Sequence, residues 1–367
     1  MVSKTSSTSL WCLVNFKHVA SSTCCFFPLL SLLAWLGGHY ADGILIWLSF
    51  LTLGIWGILA LNALQMIVQL FTRHRRKVWL PLLAILLHTD YLLAVWQPSF
   101  PGRNTLPEGT QPLTVVTYNT SHFFWDRQQT MRDAAAYIHQ LQPDIICMQE
   151  APDGAYYQAD TVRKAFSYVP HHCVSGRTDH LPMMIGSRYP LQHIRTLYFK
   201  NSVNLAMIAD VCMPTDTIRL FCNHLETTSV NQYRGQIQAA SKPWLFRLKA
   251  GVKLILQMKE NFRKRAEQAD YIAEEIRRSP YPVVVCGDFN DTPASYTYHR
   301  MKGALTDGFR DAGRGYQYTF RQLKRIWRID YIFYSDELKG ISYDSPDTPY
   351  SDHKMVVWRG YFFERKI

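Results

Sequence analysis

Six short strings of acidic, amide and imidazole residues lie at the ends of apolar runs along this 367-residue chain. Carboxylate and amide oxygens are the ligands that a hard cation such as Mg²⁺ prefers, and imidazoles exchange protons near neutral pH. Hydrolysis of a phosphate ester uses both kinds of group, and strand ends hold them rigidly. The pattern therefore predicts a metal-dependent phosphoesterase site. Its candidate residues are Asn119, Glu150, His224, Asp288, Asn290, Asp330, Asp352 and His353.

The six strings differ in how much each indicates alone. Gln149-Glu150 and Asn223-His224 are weak signals, because such pairs are common in caps, turns and satisfied cores. Gly287-Asp288-Phe289-Asn290 is stronger, because only Cys286 separates it from the β-branched run 283–285. Its competing interpretation is an Asx-turn. The order and spacing of all six strings, rather than any one of them, support the prediction.

The elements that position these strings alternate between strand and helix. A β-branched run at 113–118 precedes a helical pattern at 127–141 and an apolar strand at 143–148. Further strands are predicted at 183–185, 205–212, 218–222, 282–286, 329–334 and 355–358, with a helix at 266–278. This arrangement predicts a mixed α/β domain over 113–367. The sequence contains no internal repeat, no low-complexity tract and no glycine-rich phosphate loop.

The first 97 residues have a different composition from the rest of the chain. Apolar stretches at 19–37, 43–70 and 78–96 are each long enough to predict a transmembrane helix, and buried core helices are the alternative. Residues 98–112 are rich in Pro, Gly and polar side chains and predict a linker. His88 and Asp90 lie within the third stretch, where they either have a function or pair with a neighbouring helix.

Basic residues predict the orientation of this membrane region. The run 72–77 is strongly basic and is expected to stay in the cytoplasm, and Lys4 and Lys17 place the amino terminus on the same side. The domain would then lie outside the cytoplasm. If the first stretch were instead a cleaved signal peptide, the predicted side of the domain would be unchanged.

Eight cysteines do not predict a disulfide framework in a chain of this size. Cys147 and Cys286 lie in apolar runs and are expected to be buried thiols. Cys212 and Cys222 could meet across a hairpin, which an exported domain would permit.

A basic insert at 242–265 accounts for part of the net charge of +11. Eight basic residues stand against one acid, Glu260, and Trp244, Leu248, Val252 and Leu256 share one helical row. This amphipathic helix could lie on an anionic membrane, attract a polyanion such as nucleic acid, or pack its apolar row on the domain.

In their order and spacing, the six strings resemble the endonuclease/exonuclease/phosphatase (DNase I-like) superfamily, in a membrane-anchored bacterial form. The most specific marks are the strings 287–290, 329–332 and 351–353, and Ser187-Arg188-Tyr189-Pro190 is similar to a strand-turn found midway through these domains. The resemblance covers residues 113–360. It implies an α/β fold, a four-layer sandwich of two stacked mixed β-sheets flanked by helices, here preceded by the transmembrane helical region.

The resemblance also implies roles for individual residues. Glu150 looks like the main metal-binding carboxylate, with Asn119 and Asp352 beside it, and the metal would be Mg²⁺ or Mn²⁺. Asn204 lies where members place a polar contact to the phosphate.

Five further residues match the catalytic positions of the superfamily. Asp288 is similar to the aspartate that orients or deprotonates the attacking water, and Asn290 to the amide that holds this water or a phosphoryl oxygen. His224 resembles the imidazole that contacts the phosphate and protonates the leaving oxygen. His353 matches a second histidine, whose tautomer is set by Asp330.

The implied activity is hydrolysis of phosphate mono- or diesters by in-line attack of water. Lipid head groups, sugar or inositol phosphates and nucleotides are the candidate substrates. A membrane-anchored nuclease acting on nucleic acid is one alternative, and a non-catalytic binding scaffold on the same fold is another. Together with the predicted topology, we expect a multi-pass protein of the plasma (inner) membrane with its domain on the periplasmic or extracellular side.

Overall fold

The structure of the chain, a computed structural model, describes residues 25–72, 75–99, 105–123, 127–152, 157–228 and 243–363. The chain divides into two units. The first contains the residues up to Leu92 together with Ala294–Tyr296, and the second contains Leu93–Pro293 and Thr297–Ile367.

Short apolar helices form the described part of the first unit. They are α1 (Phe26–His39), α2 (Ser49–Leu53), α3 (Ile55–Leu70), α4 (Trp79–Leu86) and α5 (Thr89–Val95), with 3₁₀ turns at Gly43–Leu48 and Arg75–Lys77. Polar side chains link α1 to its neighbours. Asn62 of α3 donates from Nδ2 to Ser31 Oγ at 2.9 Å, and His88 Nε2 lies 3.0 Å from the Ser31 backbone oxygen. Of the two interpretations of His88, this contact favours pairing with a neighbouring helix.

Among the described residues, no single helix is both long and apolar enough to cross a bilayer. The predicted stretches 43–70 and 78–96 are not continuous helices, because Gly54 separates α2 from α3 and residues 87–88 separate α4 from α5. Two bent pairs reach that length and composition only when joined, Phe26–His39 with Gly43–Leu53 at 117° and Arg75–Leu86 with Thr89–Val95 at 54°. The first stretch is described only from Cys25 onward, and three membrane crossings stay a prediction.

Several residues of the topology prediction lie outside the described residues. They are Lys4, Lys17, residues 19–24 and residues 73–74 of the basic run. Part of the predicted linker, residues 100–104, and Lys242 of the basic insert lie outside them as well.

The second unit contains two six-stranded sheets. The first sheet has the order β13-β14-β2-β3-β5-β4 and the second the order β10-β12-β9-β8-β7-β6, and a short pair, β1 with β11, stands apart. Their bounds are β1 Trp96–Gln97, β2 Leu113–Asn119, β3 Ile145–Gln149, β4 His171–Val174, β5 Met183–Ser187, β6 Leu191–Tyr198, β7 Leu205–Cys212, β8 Thr217–His224, β9 Val283–Asp288, β10 Thr306–Asp307, β11 Gly315–Tyr316, β12 Asp330–Tyr334, β13 Leu338–Asp344 and β14 Val356–Phe362. Both sheets are mixed, because β2 runs parallel to β3 and β8 runs parallel to β9 while the other pairs are antiparallel.

Within the described residues, five helices accompany the sheets. They are α6 (Arg127–Gln140), α7 (Ala159–Ala165), α8 (Trp244–Arg277), α9 (Tyr296–Lys302) and α10 (Gly308–Ala312). The helix predicted at 127–141 corresponds closely to α6. The amphipathic helix predicted within 242–265 and the helix predicted at 266–278 are one continuous helix, α8.

Three apolar clusters show that the layers stack as helix, sheet, sheet and helix. The central cluster joins the facing sides of the sheets, with Val115 and Ile145 from the first and Met207 and Leu220 from the second. A second cluster packs α6, through Met131 and neighbouring residues, on the outer side of the first sheet. The third packs Ala269 and Ile272 of α8 and Tyr298 of α9 on the outer side of the second sheet. The predicted fold of two stacked mixed sheets with flanking helices is confirmed.

The strand register answers the question of a disulfide between Cys212 and Cys222. Cys212 pairs with Thr217, whereas Cys222 pairs with Met207, so the two cysteines lie five residues apart along the β7–β8 hairpin. At about 3.4 Å per residue this separation is roughly 17 Å, far beyond the reach of a disulfide. Both thiols are free.

A buried ion pair anchors the start of β12. Arg328 donates to both carboxylate oxygens of Asp307 at 2.6 and 2.7 Å, and both side chains are fully buried. The guanidinium also donates to the Ala94 backbone oxygen and lies 4.7 Å from the centre of the Tyr331 ring. Because two charges out of water require this degree of pairing, the residue just before Ile329 and Asp330 is held in one position.

Gly287 provides a test of how tightly β8 and β9 pair. Its φ is +126°, and a Cβ there would lie 2.0 Å from the Asn223 backbone oxygen. We expect Gly287→Ala to lower the free energy of unfolding by about 3 kcal/mol or more, because backbone must move to relieve the clash. Thermal unfolding of the purified full-length protein measures the change.

Gly251→Ala in α8 is the matched control for Gly287→Ala. No atom lies within 4 Å of a Cβ at Gly251, so alanine should leave stability unchanged or raise it by about 0.5–1 kcal/mol. Equal melting temperatures for the two variants would contradict the close approach of β8 and β9.

Candidate active site

Strand registers bring the candidate residues to one edge of the two sheets. In the first sheet, Asn119 pairs with Gln149, so that Glu150 follows directly beyond the pair. In the second sheet, His224 and Asp330 both pair with Asp288. The carboxyl ends of parallel strands lie at the same edge of a sheet, which explains why these distant chain positions meet.

Asn119 joins the two halves of the site. Its Nδ2 donates to Asp288 Oδ2 at 2.9 Å and lies 3.5 Å from Glu150 Oε1. Its Oδ1 accepts from the Ser121 backbone N–H at 3.1 Å, and its backbone oxygen accepts from Ser351 Oγ at 2.8 Å. One buried amide therefore separates two carboxylates and fixes their spacing.

Two residues of the site have a left-handed backbone. Glu150 has a φ of 48° directly after β3, and Asn290 has a φ of 54° shortly after β9. Such a conformation is uncommon for residues other than glycine and is costly for a glutamate. It turns the chain sharply at the points where the two strands end.

The Glu150 carboxylate lies between two imidazoles. Its Oε1 is 3.8 Å from His224 Nε2, and its Oε2 is 3.9 Å from His122 Nε2. Burial raises the pKa of Glu150 above its usual value, although His353 and His122 act in the opposite direction. A carboxylate that pays a desolvation penalty is a suitable ligand for a cation.

His353 and Asp330 form a buried pair. His353 Nδ1 donates to Asp330 Oδ2 at 3.0 Å, and its Nε2 lies 3.8 Å from Asp288 Oδ2. Burial opposes the charged form of His353, but the charges of Asp330 and Asp288 outweigh burial and raise its pKa to about 10. Asp330 is held in turn, because its backbone N–H donates to Thr319 Oγ1 at 3.0 Å.

His224 has the opposite protonation state. Burial lowers its pKa to about 4, although the charge of Asp288 acts against burial. Its Nε2 lies 3.8 Å from Asp288 Oδ2, and no described residue hydrogen-bonds its buried Nδ1. At neutral pH the site therefore combines one charged and one neutral imidazole.

Asp288 lies at the centre of the site. Burial, together with the nearby charge of Asp330, raises its pKa to about 6. Its Oδ1 accepts from the Asn290 backbone N–H at 2.8 Å, while Asn290 Nδ2 donates to the Leu225 backbone oxygen at 2.9 Å. The carboxylate is thus mostly ionised at pH 7 and remains basic enough to accept a proton.

The predicted metal ligands are arranged less tightly than the catalytic residues. Among the described residues, the group whose ligand atoms all lie within 4.8 Å of one another is Asp288, Asp330 and His353. The superfamily resemblance implies catalytic roles for these three residues instead of metal binding. Asp352 Oδ2 accepts from Gln322 Nε2 at 3.2 Å, and its charge adds to the rise in the pKa of Glu150.

His122 was not among the site residues predicted from the sequence. Asn204 was named only because the superfamily resemblance implies a phosphate contact at its position. His122 follows the Asn119 string by three positions, and that proximity was the available signal. Asn204 directly precedes Leu205, which pairs with His224, and the Asn204 side chain is fully buried. No described residue hydrogen-bonds its amide.

Comparison with known proteins gives the family of this domain. The model of the Endonuclease/Exonuclease/phosphatase family matches residues 116–353, about two thirds of the chain. The chain belongs to this family. No curated protein sequence matches the chain. Hydrolases of this family generally act on phosphoesters and generally use divalent metals.

Solved structures to which the chain is similar have low sequence identity to it. An endonuclease/exonuclease/phosphatase from Bacteroides vulgatus is 17% identical, with a TM-score of 0.49 over 69% of this chain and 100% of that one. One from Beutenbergia cavernae is 16% identical, with a TM-score of 0.49 over 69% and 72%. TDP2 from D. rerio, complexed with single strand DNA product, is 14% identical, with a TM-score of 0.49 over 68% and 99%.

The two imidazoles provide a test of the electrostatics of this family site. In the full-length protein with ¹³C-labelled histidine and EDTA, we expect His353 to stay protonated and His224 to stay neutral between pH 6 and 8. Asp330→Asn removes the charge beside His353 Nδ1 and should lower the His353 pKa by about 1–3 units. NMR titration measures both values.

The resonance of His171, an exposed residue of β4, is the internal control and should respond identically in both proteins. An unchanged His353 titration in Asp330→Asn would contradict the pairing of these two side chains.

Proposed function

We propose that this protein is a phosphoesterase that hydrolyses phosphate mono- or diesters by in-line attack of water, with the help of Mg²⁺ or Mn²⁺. The supporting observation is the convergence of Asp288, the His353–Asp330 pair and Glu150 on one edge of the two sheets. Family membership supports the reaction class, because this family of hydrolases generally acts on phosphoesters.

Asp288 is the proposed acceptor of the proton from the attacking water. Its pKa of about 6 matches a base that works near neutral pH. One N–H of Asn290 Nδ2 donates to the Leu225 backbone oxygen. The Oδ1 acceptor and the second N–H therefore remain to hold the water or a phosphoryl oxygen.

The two histidines would have different tasks. His353 remains charged, so its Nε2–H can donate to an anionic phosphoryl oxygen or to the leaving oxygen. His224 remains neutral, so we propose that it donates one hydrogen bond to the phosphate rather than a proton to the leaving group. This changes the role that the superfamily resemblance implies for His224.

Glu150, Asn119 and Asp352 are the proposed ligands of the divalent ion. The chemistry of this set fits a hard cation, because all three offer oxygen and the partly buried Glu150 carboxylate gains from a positive partner. Asn119 directs its amide nitrogen at the carboxylates, so coordination requires its amide to turn and offer Oδ1. Asp330 and His353 are less suitable ligands, because they are paired with each other and the imidazole is protonated. A bound ion would neutralise charge on the phosphoryl oxygens.

The catalytic assignment can be tested with Asp288→Ala and His353→Ala. Each should reduce metal-dependent hydrolysis of bis-p-nitrophenyl phosphate by about 10²–10⁴-fold, because each removes one proton-handling group. EDTA should abolish the activity of the parent protein, and Mg²⁺ or Mn²⁺ should restore it. Release of p-nitrophenol is the measurement, with circular dichroism to show that the variants fold.

His171→Ala is the matched control, because His171 is exposed and pairs with Ser187, at the opposite edge of the first sheet. Activity of Asp288→Ala equal to that of this control would remove the assignment. The assignment would also be removed if Asp288→Ala lost only the hydrolysis that occurs without metal and kept its metal-dependent turnover.

A nuclease is the second candidate function, since the family includes endonucleases and exonucleases and the chain is basic. Plasmid nicking can be compared with phosphate release from inositol phosphates and lipid head groups under the same metal. A non-catalytic scaffold is the third candidate, and turnover of any of these substrates would exclude it.

We also propose that residues 1–97 attach the protein to the plasma (inner) membrane, followed by a linker at 98–112. The support is the low charge of this region and the two bent helix pairs. If 78–96 crosses the membrane once, the basic run 72–77 stays in the cytoplasm and the domain lies on the periplasmic or extracellular side.

Protease added to spheroplasts of cells that express the full-length protein tests this topology, because removal of the outer envelope exposes the periplasmic side of the inner membrane. We expect digestion of the domain without lysis, detected with an antibody against the carboxyl terminus. Digestion only after lysis would contradict the external location and leave the catalytic proposal untouched.

A further inference from the structure

The amino-terminal half of α8 exposes a row of large apolar side chains. The helix has 34 residues and is therefore about 50 Å long at about 1.5 Å per residue. Its carboxyl-terminal half is embedded in the second unit through residues such as Ala269 and Ile272. Six exposed apolar residues of the first half share one side of the helix, Trp244 64%, Leu245 51%, Leu248 53%, Val252 50%, Ile255 45% and Leu256 54%, and a seventh, Phe246 at 43%, lies on another side. Packing of this row on the domain, one of the three alternatives, is not what the described residues show.

The six exposed apolar residues that share one side of the helix form a single arc. At about 100° per residue, the six side chains span roughly 120° of the helix circumference. Lys249 and Lys253 border the arc on one side, and Arg247 borders it on the other. The buried Ala250 and Met258 lie outside the arc, so the helix packs by another face.

Charge in this half of α8 has a single sign. Residues 244–259 contain Arg247, Lys249, Lys253 and Lys259 and no acidic residue, and the first acid is Glu260. An apolar arc bordered by long cationic side chains is typical of helices that lie in a membrane interface, since lysine and arginine reach from the apolar level to anionic head groups.

We propose that residues 244–259 of α8 form a docking surface for an anionic lipid bilayer. The apolar arc would enter the boundary between head groups and acyl chains by about 5–10 Å, with the cations at the level of the lipid phosphates. This proposal concerns a binding surface and does not depend on the proposed catalytic activity.

Nucleic acid fits this surface less well than a bilayer. Phosphate recognition would favour cations along the centre of the exposed face. Here six apolar side chains occupy the centre, Arg247, Lys249 and Lys253 border it, and Lys259 alone is aligned with the centre, at the end of the row. Base stacking needs aromatic residues, and only Trp244 and Phe246 are available among residues 244–259.

The same helix is tied to the loops that carry the candidate catalytic residues. Asn261 Nδ2 donates to the Thr227 backbone oxygen at 2.8 Å, three residues after His224. Arg265 donates from Nε to the Glu226 backbone oxygen at 2.7 Å and pairs with Asp291, the neighbour of Asn290, at 3.0 Å. Docking of residues 244–259 would therefore hold the candidate site in a defined position relative to the lipid surface.

Hydroxyl-radical footprinting of the full-length protein in vesicles tests the proposal at the helix itself. The readout is oxidation of Trp244 relative to Tyr271, which lies on the embedded half of the same helix and is 51% exposed. The vesicles contain either phosphatidylcholine alone or phosphatidylcholine and phosphatidylglycerol at a ratio of 3:1. We expect a several-fold lower Trp244 to Tyr271 ratio in the anionic vesicles.

Two triple variants identify the groups responsible. Leu248→Gln/Val252→Gln/Leu256→Gln and Arg247→Gln/Lys249→Gln/Lys253→Gln should each restore oxidation of Trp244 in anionic vesicles. The control variant Arg263→Gln/Arg277→Gln/Arg278→Gln removes three exposed cations from the other half of α8 and should remain protected.

A Trp244 to Tyr271 ratio that does not differ between the two lipid compositions would overturn the proposal. Protection that rises with protein concentration in phosphatidylcholine vesicles would instead identify a second copy of this chain as the occupant. Protection by single-stranded DNA in those vesicles would identify nucleic acid. Either result would also overturn the proposal.

Discussion

The hydrogen bond from Asn119 to Asp288 is the contact on which the candidate site depends. It joins the last residue of β2 in one sheet to the last residue of β9 in the other. The apolar interior keeps the sheets stacked, but hydrophobic packing is not directional and cannot place two carboxylates to within an ångström. One buried amide, itself held by Ser121 and Ser351, supplies that direction.

The balance between burial and neighbouring charges determines the protonation state of each group at this edge. Three carboxylates and two imidazoles share a space with little water, so each ionised group depends on its neighbours. His353 faces Asp330 and Asp288 and keeps its proton, whereas burial dominates at His224 and removes its charge. Because both histidines lie at the same sheet edge, composition alone does not distinguish their protonation states.

The same edge explains why α8 matters beyond its own surface. Its middle turn binds the backbone after His224 through Asn261 and Arg265, and Arg265 also contacts Asp291. Its exposed half and its embedded half belong to one continuous helix of 34 residues. The position of the proposed lipid-facing surface is therefore coupled to the geometry of the catalytic loops.

Sequence alone determined the mixed α/β character of the domain, because apolar runs and their breakers depend on local physics. The stacking of two sheets was implied by the superfamily resemblance of the motifs. Sequence also brought attention to the residues that now converge, since strand ends are visible as the points where apolar runs stop. It did not reveal that the apolar stretches 43–70 and 78–96 are interrupted at Gly54 and near His88, nor that Cys212 and Cys222 lie far apart, because hydropathy does not report backbone breaks or register. Only the tertiary structure decided which imidazole is charged, which carboxylates are adjacent and that the apolar row of α8 is exposed. Those properties arise from burial and distances between residues more than a hundred positions apart, and no window of sequence contains them.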